Sequence, residues 1–218
     1  MLILAMSDIH ANVSHLDESA DDMARADVVL IAGDITQFGR RDAAKSVVEA
    51  VRARARRVLA VGGNCDHPDV EEYLEEEGLG LHGTHRSVDD ITFLGVGMSL
   101  PCPGTTPGET TEEELGACLE HASLGVEPGA RVIVVSHEPP LGTAADLSSG
   151  GGHVGSRAIR EFLERTHPLA CFTGHIHESR GIGALGPTTV VNPGPQTKGF
   201  YAMARIDGDD VTVELKGG

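Results

Sequence analysis

Five short apolar runs in this chain each end in a carboxylate, an amide or an imidazole. LILAMSDIH ends in Asp8 and His10, VVLIAGD in Asp34, and VLAVGGNCD in Asn64 and Asp66. VIVVSH ends in His137, and LACFTGHIH in His175 and His177. Runs of this length without polar alternation read as strands buried on both faces. In an open α/β sheet, functional groups collect beyond the carboxyl ends of the strands, so all five runs would deliver side chains to one edge. The i,i+2 spacing of DIH and HIH lets both members of each pair point the same way in extended backbone. Gly33, Gly63 and Gly174 each stand one residue before a candidate donor, where they permit a tight turn and close backbone approach. Singly, each donor has an ordinary account: Asp8 or Asp34 as a turn or cap residue, Asn64 as a turn residue, each His as surface or filler. Their agreement at five strand ends points to a metal centre.

The rest of the chain supports this order. Leu2–Met6, Val28–Ala32 and Val58–Val61 read as strands, alternating with helical patterns at Val13–Arg25, Asp42–Arg54 and Asp69–Glu77. Leu16 and Met23 are the inward residues of the first helix, and Asp42 is the expected N-cap of the second. This βαβαβα order predicts a parallel sheet covered by helices. Two short strands follow around the Asp89-Asp90 turn within Ser87–Val96, then a Pro/Gly/Thr loop over Pro101–Thr110. A helix over Thr110–His121 carries a capping-box pattern at Thr110 or Thr111. A strand at Val132–Val135, a long Gly/Ser-rich loop over Glu138–Gly155, a helix at Ser156–Arg165 and a strand at Leu169–Thr173 come next. From Gly181 onward the chain reads as a β-meander. No repeat or linker divides it, so residues 1–218 are expected to form a single α/β domain with two packed sheets.

Composition narrows the function. The formal net charge is −16, and aromatics make up 3% with no Trp. Neither the basic footprint of a nucleic-acid or anionic-membrane binder nor a base-stacking platform is present. The Arg52–Arg57 run reads as a solvated helix end in preference to a nucleic-acid patch. Asp and Glu total 33, against only three Lys (Lys45, Lys198, Lys216); this balance fits a high-salt cytoplasm and equally a GC-rich genome. Cys65, Cys102, Cys118 and Cys171 form no CxxC pair and suggest no disulfide framework, which points to a reducing, cytoplasmic setting. MLILAMSD lacks a basic leader and is interrupted by Asp8, so it reads as a strand, and no run approaches membrane-spanning length.

The ordered blocks D-x-H, G-D, G-N-x-D, H and G-H-x-H, running from Asp8 to His177, resemble those of the calcineurin-like metallophosphoesterases. The stretch from SHEPPLGTAAD to GHIHESRG is similar to a compact, cap-less, phosphodiesterase-like subgroup. The resemblance implies a four-layer α/β/β/α sandwich of two mixed sheets, the metallophosphatase fold. It also implies two divalent metal ions. One would take Asp8, His10, Asp34 and His177, the other Asp34, Asn64, His137 and His175, with Asp34 bridging. Two ions about 3.5–4 Å apart can hold a hydroxide of lowered pKa for in-line attack on phosphorus. Mixed His, Asp and Asn ligation suits Mn, Fe, Zn or Ni better than Ca. The implied activity is hydrolysis of small phosphate esters, most of all diesters. A phosphomonoesterase or nucleotidase is the near alternative, and a nuclease or a non-catalytic scaffold a more remote one. All seven expected ligands are present, which counts against the scaffold. The sequence is compatible with a homo-oligomer.

One block departs from the pattern. Many members read G-N-H-[DE], with a His held to protonate the leaving group, whereas this chain has Gly63-Asn64-Cys65-Asp66. A thiol is a poorer proton donor than imidazolium at neutral pH. His67 is a candidate substitute or a surface residue before Pro68. Asp66 is expected to orient a ligand His. Asn12 either binds a phosphate oxygen or caps the next helix. His153, in GGGHVGS, either contacts substrate phosphate or is solvated. Asn192, in NPGP, is a turn residue or lies near the site.

Overall fold

The computed structural model describes residues 1–218. The first half runs β1 (Leu2–Met6), α1 (Ala20–Arg25), β2 (Val28–Ala32), α2 (Arg41–Arg52), β3 (Val58–Val61) and α3 (Pro68–Glu76). Then come β4 (His85–Val88), β5 (Ile91–Val96), α4 (Glu112–Ser123), β6 (Arg131–Ser136), α5 (Arg157–Thr166) and β7 (Ala170–Phe172). The chain ends with β8 (Gly181–Leu185), β9 (Thr188–Asn192), β10 (Tyr201–Asp207) and β11 (Asp210–Lys216).

The strands form two mixed sheets, ordered β11-β10-β1-β2-β3 and β4-β5-β6-β7-β9-β8. β1, β2 and β3 are parallel, as are β5, β6, β7 and β9. Three apolar layers follow from the period-2 alternation along these strands. Leu4, Met6, Val29 and Ile31 face Met23, Val47, Val48, Val51 and Val70 of α1 to α3. Ile3, Ala5, Val28 and Leu30 face Phe93, Ile133, Val135 and Phe172 of the other sheet. Leu94, Val134, Cys171 and Val190 face Leu115, Leu119, Ile159, Phe162 and Leu163 of α4 and α5. Each large side chain so buried contributes about 1.5–3 kcal/mol. The result is the α/β/β/α sandwich of the metallophosphatase fold. No helix is long and apolar enough to cross a membrane.

Several boundaries differ from expectation. The helix expected over Val13–Arg25 is a single 3-10 turn at Leu16–Ser19 leading into α1; Leu16 and Met23 are buried, but Val13 is exposed. Asp42 does not cap α2: Arg40 takes the N-cap position with no side-chain bond, and Asp42 lies in the first turn. α3 begins at Pro68, whose missing N–H is no loss at the first helical position. Thr111 and Glu114 close the expected capping box on α4. The terminal strands are not a meander. β8 and β9 pair in the second sheet, the chain crosses through a 3-10 turn at Gln196–Lys198, and β10 and β11 return to the first beside β1.

Candidate metal centre

Each of the five runs ends its strand and turns sharply. Asp8, His10, Asp34 and His175 take left-handed φ values of 56°, 47°, 49° and 66°, a conformation costing roughly 1–2 kcal/mol for a residue with a Cβ. Cross-loop hydrogen bonds hold it in place. Asp8 N donates to Gly33 O (3.1 Å), His10 N to Asp34 O (2.9 Å) and Ala11 N to Ile35 O (2.9 Å). Two glycines make the approach feasible. Gly33 has φ +90°, and a Cβ there would lie 2.7 Å from His137 Cβ. At Gly63 a Cβ would lie 2.8 Å from Asp34 Cγ.

The donors fall into two sets that meet at Asp34. In the first, His177 Nε2 is 3.2 Å from Asp8 Oδ1 and 3.3 Å from His10 Nε2. His10 Nε2 is 3.7 Å from Asp34 Oδ2. In the second, His137 Nε2 is 3.4 Å from the other Asp34 oxygen, Oδ1, and 3.0 Å from Asn64 Oδ1. The ring centroids of His137 and His175 are 5.1 Å apart. Donor atoms of Asp8, His10 and His177, of Asp8, Asp34 and His137, and of His10, Asp34 and Cys65 each gather within 4.8 Å.

A divalent cation fits this donor set. Asp8 Oδ2 is buried without a hydrogen-bond partner, a costly state for a carboxylate oxygen unless a cation meets it. His137 Nδ1 donates to Ala32 O at 2.8 Å, which fixes the tautomer and leaves the Nε2 lone pair for a ligand bond. Burial pushes the Asp8 carboxyl up, but the His177 hydrogen bond and the nearby His137 outweigh it and hold it below the usual range. Burial pulls His137 down; Asp34 and Asp8 overcome that and raise it. The Asp8 hydrogen bond raises His177. Burial and the neighbouring His137 pull His175 down to about 4, so it stands as a neutral imidazole at neutral pH.

The remaining predicted residues divide. Cys65 is buried with its sulfur in the cluster, and its N–H donates to Asp34 Oδ1 at 2.8 Å. Burial, then Asp34, push its thiol far up, so it stays protonated. Asp66 does not orient a histidine. Its carboxylate accepts from Ile35 N (3.0 Å), Thr36 N (2.8 Å), Thr36 Oγ1 (2.7 Å) and Gly63 N (2.8 Å), tying the Asp34 loop to the Asn64 loop. Asn12 Oδ1 accepts from Ser14 N and Ser14 Oγ in a local turn. His153 is exposed, bonds Asp146 at 2.7 Å and joins none of the donor groups. His67 precedes α3, with its N–H on Gly39 O, and does not join the cluster.

Two residues gain defined roles, one left open between two readings by the sequence and one missed by it. Asn192 is buried and donates to Ile176 O (3.0 Å) and Gly174 O (3.3 Å), bracing the loop that carries His175 and His177. Its place in NPGP, as the last residue of β9 in the same sheet, was the available signal. Glu138 is buried, accepts from Leu100 N at 2.9 Å and lies 3.8 Å from His175 Nε2. Its adjacency to His137 was the signal there. A cavity of about 480 Å³ opens beside His175, with Glu138 and Glu178 in its wall and the Leu100–Pro103 and Ser148–Gly150 loops around it.

Residues 1–207 match the calcineurin-like phosphoesterase superfamily domain. The chain is 35% identical over 210 residues to the uncharacterized protein MJ1162 of Methanocaldococcus jannaschii, covering 92% of this chain and 91% of that one. It is 24% identical over 206 residues to the 3′,5′-cyclic adenosine monophosphate phosphodiesterase CpdA of Pseudomonas aeruginosa, covering 91% and 74%. Its fold is similar to the crystal structure of TT1561 of Thermus thermophilus, with TM-score 0.76, 18% identity and coverage of 98% and 97%.

Proposed function

The chain belongs to the calcineurin-like phosphoesterase superfamily, and on that premise we propose that residues 1–218 act as one unit, a dinuclear metal-dependent phosphodiesterase for small phosphate esters. The observation that carries this is the division of Asp34, with Oδ2 toward His10 and Oδ1 toward His137. One ion would draw on Asp8, His10, Asp34 and His177, the other on Asp34, Asn64, His137 and His175; manganese, iron, zinc or nickel suit these donors. Bound there, such ions supply Lewis-acid neutralisation of phosphoryl oxygens and an activated water nucleophile.

The chain's own residues do the positioning. Ala32 O holds the His137 ring, Asn192 holds the His175 loop, and Asp66 fixes the Asp34 and Asn64 loops against each other. Substrate would enter through the cavity beside His175. Ser14 occupies Asn12 Oδ1, which leaves the Asn12 amide N–H groups for a phosphate oxygen. His153, with Nδ1 on Asp146, keeps Nε2 for substrate. Cys65 offers only a weakly acidic thiol for leaving-group protonation. The likeness to CpdA, whose name states a cyclic diester substrate, supports a diester over a monoester.

The test is a panel of aryl diesters, alkyl diesters, cyclic nucleotides and monoesters with several divalent metals. Metal-dependent turnover, best on the aryl diesters, is expected. Asp34→Asn should remove most of it with the circular dichroism spectrum unchanged. Wild-type-like turnover and two bound metals in that variant would refute the bridging assignment.

A further inference from the structure

A second cleft, of about 700 Å³, lies along the open side of the sandwich, where β3 and β4, the edge strands of the two sheets, come near each other. Its wall brings together Arg52, Arg56, Arg57, His85 and Arg86, with Leu79 among its apolar members, and contains no carboxylate. In a chain of net charge −16, four guanidiniums around one cavity are a local reversal of sign.

The charges are only half compensated. Arg52 bonds Glu77 at 2.9 Å, and Arg86 bonds Glu75 at 3.0 Å. Both glutamates stand outside the cleft wall. The Arg56 and Arg57 side chains make no ion pair or hydrogen bond within the chain, although acids are plentiful on this surface. Arginines near a helix C-terminus often serve its last carbonyls. Here Arg54 does that, bonding Ala50 O at 2.7 Å and Asp17, whereas Arg56 and Arg57 lie beyond the helix in the link to β3. His85 Nδ1 is held by Ala122 O at 2.8 Å, and Nε2 remains without a partner.

We propose that this cleft is a binding site for a small polyphosphate-bearing ligand, a nucleoside di- or triphosphate or an inorganic oligophosphate. Guanidiniums from two sides match phosphoryl oxygens bidentately. The cavity falls within the range of small-molecule sites, and Leu79, Val58 and Val88 give it an apolar wall. The site is independent of the phosphoesterase reading, since none of the proposed metal ligands lines it. The competing account is edge protection: charged side chains just before β3 and on β4 keep another chain from pairing there, which requires no ligand.

The test uses the ¹⁵N-labelled full-length chain, titrated with tripolyphosphate, ATP and a short DNA duplex, with magnesium in excess. Saturable amide shifts over residues 55–59, 78–79 and 85–88 are expected with tripolyphosphate. Arg56→Gln combined with Arg57→Gln should weaken that binding by roughly tenfold or more, with aryl-diester hydrolysis and thermal midpoint unchanged. The Lys double variant should recover part of the affinity. Tighter binding of ATP would assign the apolar wall to the nucleoside, and equal binding would assign the site to the phosphate chain alone; both support the proposal. It is overturned by shifts confined to residues 8–12 and 174–177, by undiminished affinity in the Gln double variant, by the absence of saturation, or by saturation with the duplex but not with tripolyphosphate.

Discussion

Replacing Gly33 by alanine isolates what holds His137 at the centre. Gly33 has φ +90°, and left-handed backbone costs a residue with a Cβ about 1–2 kcal/mol. The new Cβ would lie 2.7 Å from His137 Cβ and closer still to its ring. That ring is fully buried and anchored by Ala32 O, so it has no room to withdraw. Overpacking of this kind costs about 1–3 kcal/mol, and the lost hydrogen bond about 1 kcal/mol. The total is about 3–6 kcal/mol, or roughly 6–24 °C in thermal midpoint for a chain of this size. Gly78→Ala is the control: φ there is +70°, but nothing lies within 4 Å of the added Cβ, so only the backbone cost of about 1–2 kcal/mol applies. Thermal and denaturant unfolding of both variants, with metal content by atomic emission, make the comparison. A Gly33→Ala protein no less stable than Gly78→Ala, with undiminished metal, would refute the packing argument.

Other substitutions test separate links. Cys65→Ala should change aryl-diester turnover little, while Cys65→His should speed alkyl diesters, because general-acid help is worth about 10²–10⁴-fold where the leaving group is poor; a loss of about 10²-fold on the aryl substrate at full metal occupancy would instead make Cys65 essential. Burial pushes the Glu71 carboxyl up to about 8 from 4.5, so the native state binds more protons than the unfolded one and stability should fall as pH rises from about 4.5 to about 8. Glu71→Gln should flatten that slope in midpoints measured from pH 5 to 9, and parallel slopes would contradict the assignment. Asn192→Ala should cost about 2–3 kcal/mol through lost hydrogen bonds and speed metal release to EDTA; unchanged release would show that the His175 loop is braced elsewhere.

The strands were readable because most lie between two apolar layers and so lack polar alternation; Leu2–Met6, Val28–Ala32 and Val58–Val61 match the structure residue for residue. The donors were readable because each sits where such a run stops. What was hidden depends on partners distant in the chain. The sheet to which β8 to β11 belong is settled by pairing with β7 and β1, which local alternation does not encode. Asp66 reads as a partner for a histidine because its true partners, the backbone N–H groups of Ile35 and Thr36, leave no mark in sequence. The Arg52–Arg57 run reads as solvated, and Arg52, Arg56 and Arg57 are exposed; that it shares a cleft with His85 and Arg86 is hidden because those two come from the other sheet.

The donor cluster also straddles a mechanical seam. Asp8, His10, Asp34 and Asn64 follow strands of one sheet, and His137, His175 and His177 follow strands of the other. The close pairs His177–Asp8, His137–Asp34 and His137–Asn64 all cross between them. Beneath them the facing surfaces of the sheets are apolar, a contact that resists separation but gives little resistance to sliding. The polar links between the sheets, such as Arg131 to Gly208 O and Arg180 to Lys216 O, lie at their margins. A cation gripping both rows would act as a rivet at one end of the seam. Shear strength would then grow with the logarithm of free metal concentration, and a chain stripped by chelator would slip along the sheet interface before its individual strands melted.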